Sequence, residues 1–228
     1  MSKILSANKI SMIYKTGEGD FYALKDVNLS IEKGTLVILR GRSGSGKTTL
    51  LNILSTLDVP SLGSVVFENM EISKMSEKNR ERFRRKEIGY VFQAVALLPM
   101  MSAYENVEFA LRLSGYKGNR KERVEEVLHK VGLSKRMYHM PYEMSGGEQQ
   151  RVAIARAIAS KPKILFADEP TAELDSKTSL KVIKIFKDLI EQEEITVVMT
   201  THDAGLFGIG DVCYEMEDGQ IVKADDPV

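Results

Sequence analysis

The residues best placed to do chemistry begin at Gly41. Gly41 and Gly46 bracket Arg42, Ser43, Gly44 and Ser45, and Lys47, Thr48 and Thr49 follow directly. A loop that curls until consecutive backbone N–H groups face inward needs glycine, and such a ring of donors binds phosphate oxygens. A helix starting at Lys47 adds its positive N-terminal end. Lys47 supplies a mobile charge for the β- and γ-phosphates, and the Thr48 hydroxyl can ligate Mg²⁺. Gly41, Ser43, Gly44, Ser45, Gly46, Lys47, Thr48 and Thr49 therefore form a candidate phosphate cradle. By itself the cradle specifies a nucleoside triphosphate and leaves the reaction open.

A reaction is suggested further along. The apolar run Ile164–Ala167 ends in Asp168 and Glu169. A buried strand that delivers carboxylates at its C-terminal edge puts them where open parallel sheets bind ligands. Asp168 is expected to hold Mg²⁺ through water, since Mg²⁺ dehydrates reluctantly. Glu169 is then free to act as general base on the attacking water. Gln93 follows a short strand, Ile88–Phe92, and its amide can ligate Mg²⁺ and hydrogen-bond that water. His202, just after a strand over Ile195–Thr200, can hydrogen-bond the γ-phosphate. His129 and His139 lie in polar helical surroundings and are read as ordinary surface or core residues.

A second phosphate-binding feature starts at Ser145. Ser145-Gly146-Gly147-Glu148-Gln149-Gln150-Arg151 opens a helical stretch, with Ser145 suited to cap it and the glycines allowing close approach to its backbone donors. One nucleotide has little use for two such helix starts from one chain. A two-fold homodimer resolves this, with Ser145 and Gly147 of each subunit closing over the nucleotide held by the other's Lys47 loop.

These residues need a scaffold, and the sequence provides strand–helix alternation. Strands are expected at Ala7–Tyr14, Leu24–Ile31, Thr35–Leu39 and Ser64–Phe67, with a helix from Lys47 to about Leu57. From about 94 to 160 the pattern is helical, over Ser102–Leu113, Arg120–Val131 and Ser145–Ala159. Alternation then returns with strand Ile164–Ala167, helix Ser176–Ile190 and strand Ile195–Thr200. This predicts an α/β fold, a mostly parallel sheet covered by helices with an inserted helical sub-lobe. Asp225–Val228 reads as a short solvated tail.

Composition narrows the function. The 228 residues carry 32 Lys and Arg against 32 Asp and Glu, and this balance argues against a nucleic-acid binder. Cys213, the single cysteine, sits in a strand-like stretch and is expected to be a buried, inert thiol in a reducing compartment. The longest apolar runs are too short to span a bilayer, and the amino terminus lacks a signal pattern. The expected location is the cytoplasm. Leu97, Leu98, Met100 and Met101 fit either an adaptable docking surface or sub-lobe core. The basic run Arg80–Lys86 fits a solvated helix face, with contact to membrane headgroups as the other reading.

Taken in order, the Lys47 loop, Gln93, the S-G-G-x-Q segment at Ser145, Asp168–Glu169 and His202 resemble the ATP-binding cassette family over essentially the whole chain. The resemblance implies an ATPase with a P-loop NTPase core over 1–93 and 161–228, an antiparallel β subdomain and a helical sub-lobe over about 94–160. It also implies that Leu174-Asp175 is a dimer-contacting loop, with Asp175 near the nucleotide, and that Tyr14 stacks on adenine, with Tyr22 as the alternative. Leu57–Pro60, Ile88–Gln93, Leu97–Pro99, Tyr104–Val107 and Arg151–Ala157 are similar to the LolD, MacB and FtsE group. That likeness implies a permease partner of the MacB or FtsX type and a peripheral place on the inner face of the membrane. The function implied is export or extraction of peptide, drug or lipoprotein, the alternative being mechanotransmission to cell-wall hydrolysis without cargo. Met144, Glu148, Glu173 and Ala94-Val95 depart from the usual pattern; none removes a catalytic group, but the last pair borders the expected docking surface.

Overall fold

A computed structural model describes residues 2–17 and 19–225 of the chain. Two long strands come first, β1 (Lys3–Thr16) and β2 (Gly19–Glu32), paired antiparallel. Both run further than alternation predicts. Their outer ends pair Tyr14 with Phe21 and Thr16 with Gly19, and the side chains there are exposed, so backbone pairing extends the hairpin with no apolar signal. β4 (Leu62–Phe67) and β5 (Met70–Glu71) complete a sheet in the order β2-β1-β4-β5.

The main sheet is built around β3 (Leu36–Arg40), which leads into the phosphate loop and α1 (Lys47–Leu54). α1 stops short of Leu57 because Thr56 turns to φ +62°, and the N–H groups of Leu57 and Asp58 bond back to the Asn52 carbonyl. α2 (Glu77–Glu87) then precedes β6 (Ile88–Val91). Along α2, Arg85 pairs with Glu81 at the surface, whereas Arg80 and Arg84 pair with Glu77 and are half-buried, Arg84 also donating to the Thr56 carbonyl, so the basic run is a solvated face only in part. The helical segment holds α3 (Ala103–Ser114), α4 (Arg120–Lys130) and α5 (Gly146–Ile158). β7 (Ile164–Ala167), α6 (Ser176–Glu193), β8 (Thr196–Thr201), β9 (Val212–Glu217) and β10 (Gln220–Asp225) follow.

The main sheet has the order β10-β9-β3-β8-β7-β6, parallel throughout except for the β9–β10 pair. β10 occupies Asp225, so the expected tail is strand at that residue, and 226–228 lie outside the described residues. β10 sets only Ile221 against the core and is otherwise held by its ladder to β9, which is why alternation does not reveal it.

Each face of the main sheet has its own core. Val37, Leu39, Phe166 and Val198 pack with α1 and the antiparallel sheet. Leu36, Ile38, Leu165, Val197 and Met199 pack with α6 and the helical segment. A fully buried Leu, Ile or Phe contributes about 1.5–3 kcal/mol, so these two layers carry most of the stability and hold the strand ends rigid. Cys213 is buried in the second layer, and burial pushes its thiol up, as expected for an inert group. Among the described residues no helix is long and apolar enough to cross a membrane.

Candidate functional site: a phosphate cradle closed by two acids

The C-terminal ends of β3, β7 and β8 meet at one cleft, as parallel strand order requires. Its volume is about 900 Å³, and Lys47, Thr48, Gln93, Glu169 and His202 line it together with Ser43, Gly44, Gly46 and Thr49. Gly46 caps α1 at φ +98°, and a Cβ there would come within 2.8 Å of the Ala23 carbonyl, so only glycine closes the loop against β2. Lys47 is 5 % exposed and donates to the carbonyls of Gly41 at 2.8 Å and Arg42 at 3.0 Å. Ser45 Oγ is buried beside Gly41 with no partner, and neither residue lines the cleft, so these two of the expected cradle residues stand behind it.

The acids sit opposite. The Asp168 N–H bonds Val91 O and continues the ladder between β6 and β7. Glu169 leaves that ladder at φ +44°, a left-handed conformation that is strained for a non-glycine residue. The turn brings its Oε1 to 3.9 Å from Lys47 Nζ and its Oε2 to 3.0 Å from His202 Nδ1. Asp168 Oδ1 accepts from Thr48 Oγ1 at 3.2 Å and from Thr200 Oγ1 at 2.7 Å. Burial and the nearby Asp168 charge push the Tyr90 phenol up, and the neutral hydroxyl donates to Asn52 Oδ1 at 2.9 Å.

The donor set fits a hard cation. The Thr48 hydroxyl, Asp168 carboxylate and Gln93 amide offer oxygen only, and Thr48 already touches Asp168. No group of three or more His, Cys, Asp or Glu able to hold a metal occurs among the described residues. A cation here would share phosphate and water oxygens, the habit of Mg²⁺.

At the other end of the cleft Tyr14, Phe21 and Tyr22 present exposed rings from β1 and β2. Phe21 pairs across from Tyr14, and neither it nor Lys25, Asp218 and Gly219, which also line the cleft, is evident from motif reading. Their presence follows from the hairpin register and from the turn between β9 and β10.

Ser145, Gly147 and Asp175 lie outside this cleft. Ser145 caps α5, accepting from the Glu148 N–H at 3.3 Å while Glu148 Oε2 accepts from the Ser145 N–H at 2.8 Å. That backbone bond, assisted by the Ser145 hydroxyl, holds the Glu148 carboxyl below its usual range against the opposing effect of burial. Gly147 abuts α6, and a Cβ on it would lie 2.5 Å from Thr178 Cγ2. Asp175 caps α6, taking Thr178 Oγ1 and the Thr178 N–H. Hydrogen bonding from Thr178 keeps the Asp175 carboxyl low. Leu97 packs on the helical core, whereas Leu98 and Met100 are exposed, so the apolar cluster divides between core and surface. Arg156 of α5 donates to the carbonyls of Val95 and Ala96, tying that helix to the segment after Gln93.

The family described as ABC transporter matches residues 24–172. The chain belongs to the ABC transporter family. An uncharacterised ABC transporter ATP-binding protein of Methanocaldococcus jannaschii is 45% identical over 221 residues, covering 96% of this chain and 98% of its own. The lipoprotein-releasing system ATP-binding protein LolD 2 of Rhodopirellula baltica is 42% identical over 223 residues, covering 95% and 88%. Among solved structures, the ATP-binding cassette MJ0796, captured as a dimer after hydrolysis with ADP and Pi, is 40% identical and superposes with a TM-score of 0.91 over 98% of this chain and 99% of that one. This cassette is accordingly an ATPase with the α/β fold of its family, including the antiparallel sheet beside the main one.

Proposed function

We propose that this cassette hydrolyses ATP as a head-to-tail homodimer and drives a membrane permease that exports or extracts its cargo. The observation that carries the reading is the placement of Glu169 between Lys47 and His202, at the open end of the phosphate cradle. In this reading the loop N–H groups and Lys47 hold the β- and γ-phosphates, and Tyr14 stacks on adenine. Thr48, Gln93 and Asp168 would hold Mg²⁺, which would neutralise charge on the phosphates. Glu169 takes the proton of the attacking water through the carboxylate that His202 orients, and Lys47 and His202 stabilise the charge that develops.

Ser145 and Gly147 stand outside their own chain's cleft, which supports a site completed by a second copy, with Asp175 at the contact. The chain divides in this reading into a core over 1–93 and 161–228 and a helical sub-lobe over about 94–160. The permease, of the MacB or FtsX type, docks near Gln93 on Phe92, Leu98 and Met100, placing the cassette at the inner face of the membrane. The likeness to LolD 2, named as part of a lipoprotein-releasing system, favours a lipoprotein as cargo, with a peptide or drug as the other reading.

Two experiments test this. Glu169→Gln should lower hydrolysis by about 10²–10⁴-fold, the usual contribution of a positioned base, with ATP affinity retained. Fast turnover in that variant would remove Glu169 from the mechanism. Tagged protein should recover a permease with a large extracytoplasmic domain from solubilised membranes, whereas recovery with ribosomes or DNA alone would end the transporter reading.

A further inference from the structure

Thr200 carries none of the roles above, yet its hydroxyl bonds both the Asp168 carboxylate and the Glu169 backbone N–H. The side chain is 0 % exposed near the end of β8. Thr200 Oγ1 donates its single proton to Asp168 Oδ1 at 2.7 Å. It accepts the Glu169 N–H at 2.7 Å. With the proton committed to a carboxylate, the oxygen lone pairs face the amide, so the two bonds reinforce each other.

The location explains why this group is needed. β7 pairs with β8 as far as Ala167 opposite Met199. At Glu169 the backbone turns to φ +44° and leaves the ladder, so its N–H loses the carbonyl a regular strand would offer. An orphaned N–H in this setting is unfavourable, and so is the left-handed backbone. The hydroxyl supplies the missing acceptor and holds the turn that aims Glu169 at Lys47 and His202. It also fixes Asp168 Oδ1 on the side shared with Thr48. A β-branched residue in a strand has few χ1 choices, which suits an oxygen that must meet two partners at once.

We propose that Thr200 is a positioning residue for ATP hydrolysis, its hydroxyl locking Asp168 and Glu169 into one arrangement. The proposal rests on the roles assigned to those acids above. Thr200 contacts no phosphate in this account, so its effect falls on the chemical step and spares nucleotide binding.

The test compares Thr200→Val, Thr200→Ser and Glu169→Gln with the unaltered protein, measuring kcat, KM for ATP and Tm. Thr200→Val keeps the shape and removes the hydroxyl. It should lower kcat by roughly ten-fold or more, the scale of a lost hydrogen bond to a charged group, while KM changes by less than about two-fold. Thr200→Ser, which restores the oxygen, should recover kcat to within about three-fold of the unaltered protein. Should Thr200→Val fail to fold, Thr200→Ala set against Thr200→Ser carries the same comparison. Full activity in Thr200→Val, or equal impairment in Thr200→Ser, would overturn the proposal while a dead Glu169→Gln kept the assignment of the acids. An active Glu169→Gln would overturn that assignment and the proposal with it.

Discussion

Gly147 offers a sharp test of how the helix opening at Ser145 is held. A methyl group at this position would sit 2.5 Å from Thr178 Cγ2, well inside carbon–carbon contact. Thr178 cannot swing away freely, because its hydroxyl and its N–H both bond the Asp175 carboxylate that caps α6. Gly147→Ala must therefore push α5 from α6 or break the cap. Overpacking of this kind destabilises by about 1–3 kcal/mol. In a chain of this size about 2 kcal/mol corresponds to a fall in Tm of roughly 4–8 °C. Thr178→Ser removes the methyl in question and keeps the capping hydroxyl, so the double variant should regain most of the loss. Thermal melts of the four proteins in the cycle decide the matter. An unchanged Tm in Gly147→Ala, or the same fall with Ser at 178, would refute the packing argument. ATPase rates on the same samples add a second reading. The rescued double variant stays impaired if Gly147 also lets phosphate approach the α5 backbone.

The remaining predictions concern the base platform and a cap. Tyr14→Ala should raise KM for ATP by roughly ten-fold, since aromatic stacking on a base is worth about 1–3 kcal/mol, and Tyr14→Phe should stay close to the unaltered value. Phe21→Ala measures whether its cross-strand neighbour shares the base, and a larger effect there than at Tyr14 would move the platform to Phe21. Glu148 has its folded-state pKa depressed, so it binds fewer protons when folded and stabilises the protein above the ordinary carboxylate range. Glu148→Gln should therefore lower Tm near neutral pH. The difference should shrink as pH falls through the folded pKa, and one that grows toward acid pH would contradict the capping role.

Much of this was legible in the sequence because it is local. The loop from Gly41 to Thr49 needs only its own glycines and the helix after it, and the strand into Asp168 announces itself by four apolar residues. Ser145 was readable as a cap because its residue type and the helical stretch it opens are adjacent in the chain. What stayed hidden depends on chain segments far apart. Thr200 reaches the acids only because β8 lies beside β7, and Phe21 reaches the cleft only through hairpin register. β10 has only Ile221 on the core to signal it. The split between half-buried Leu97 and outward Leu98 and Met100 likewise follows from packing on the helical core, which residue type alone does not encode.

The central claim is a catalytic site shared between two copies of the chain, and mixing two inactive variants tests it directly. Lys47→Ala removes the cradle charge, and Ser145→Arg blocks the α5 helix start. Each alone should be inactive. A mixed dimer would rebuild one intact site, from Lys47 of one subunit and Ser145 of the other. ATP turnover should therefore appear on mixing and rise with the proportion of mixed dimers. A mixture as inactive as its components would contradict the shared site.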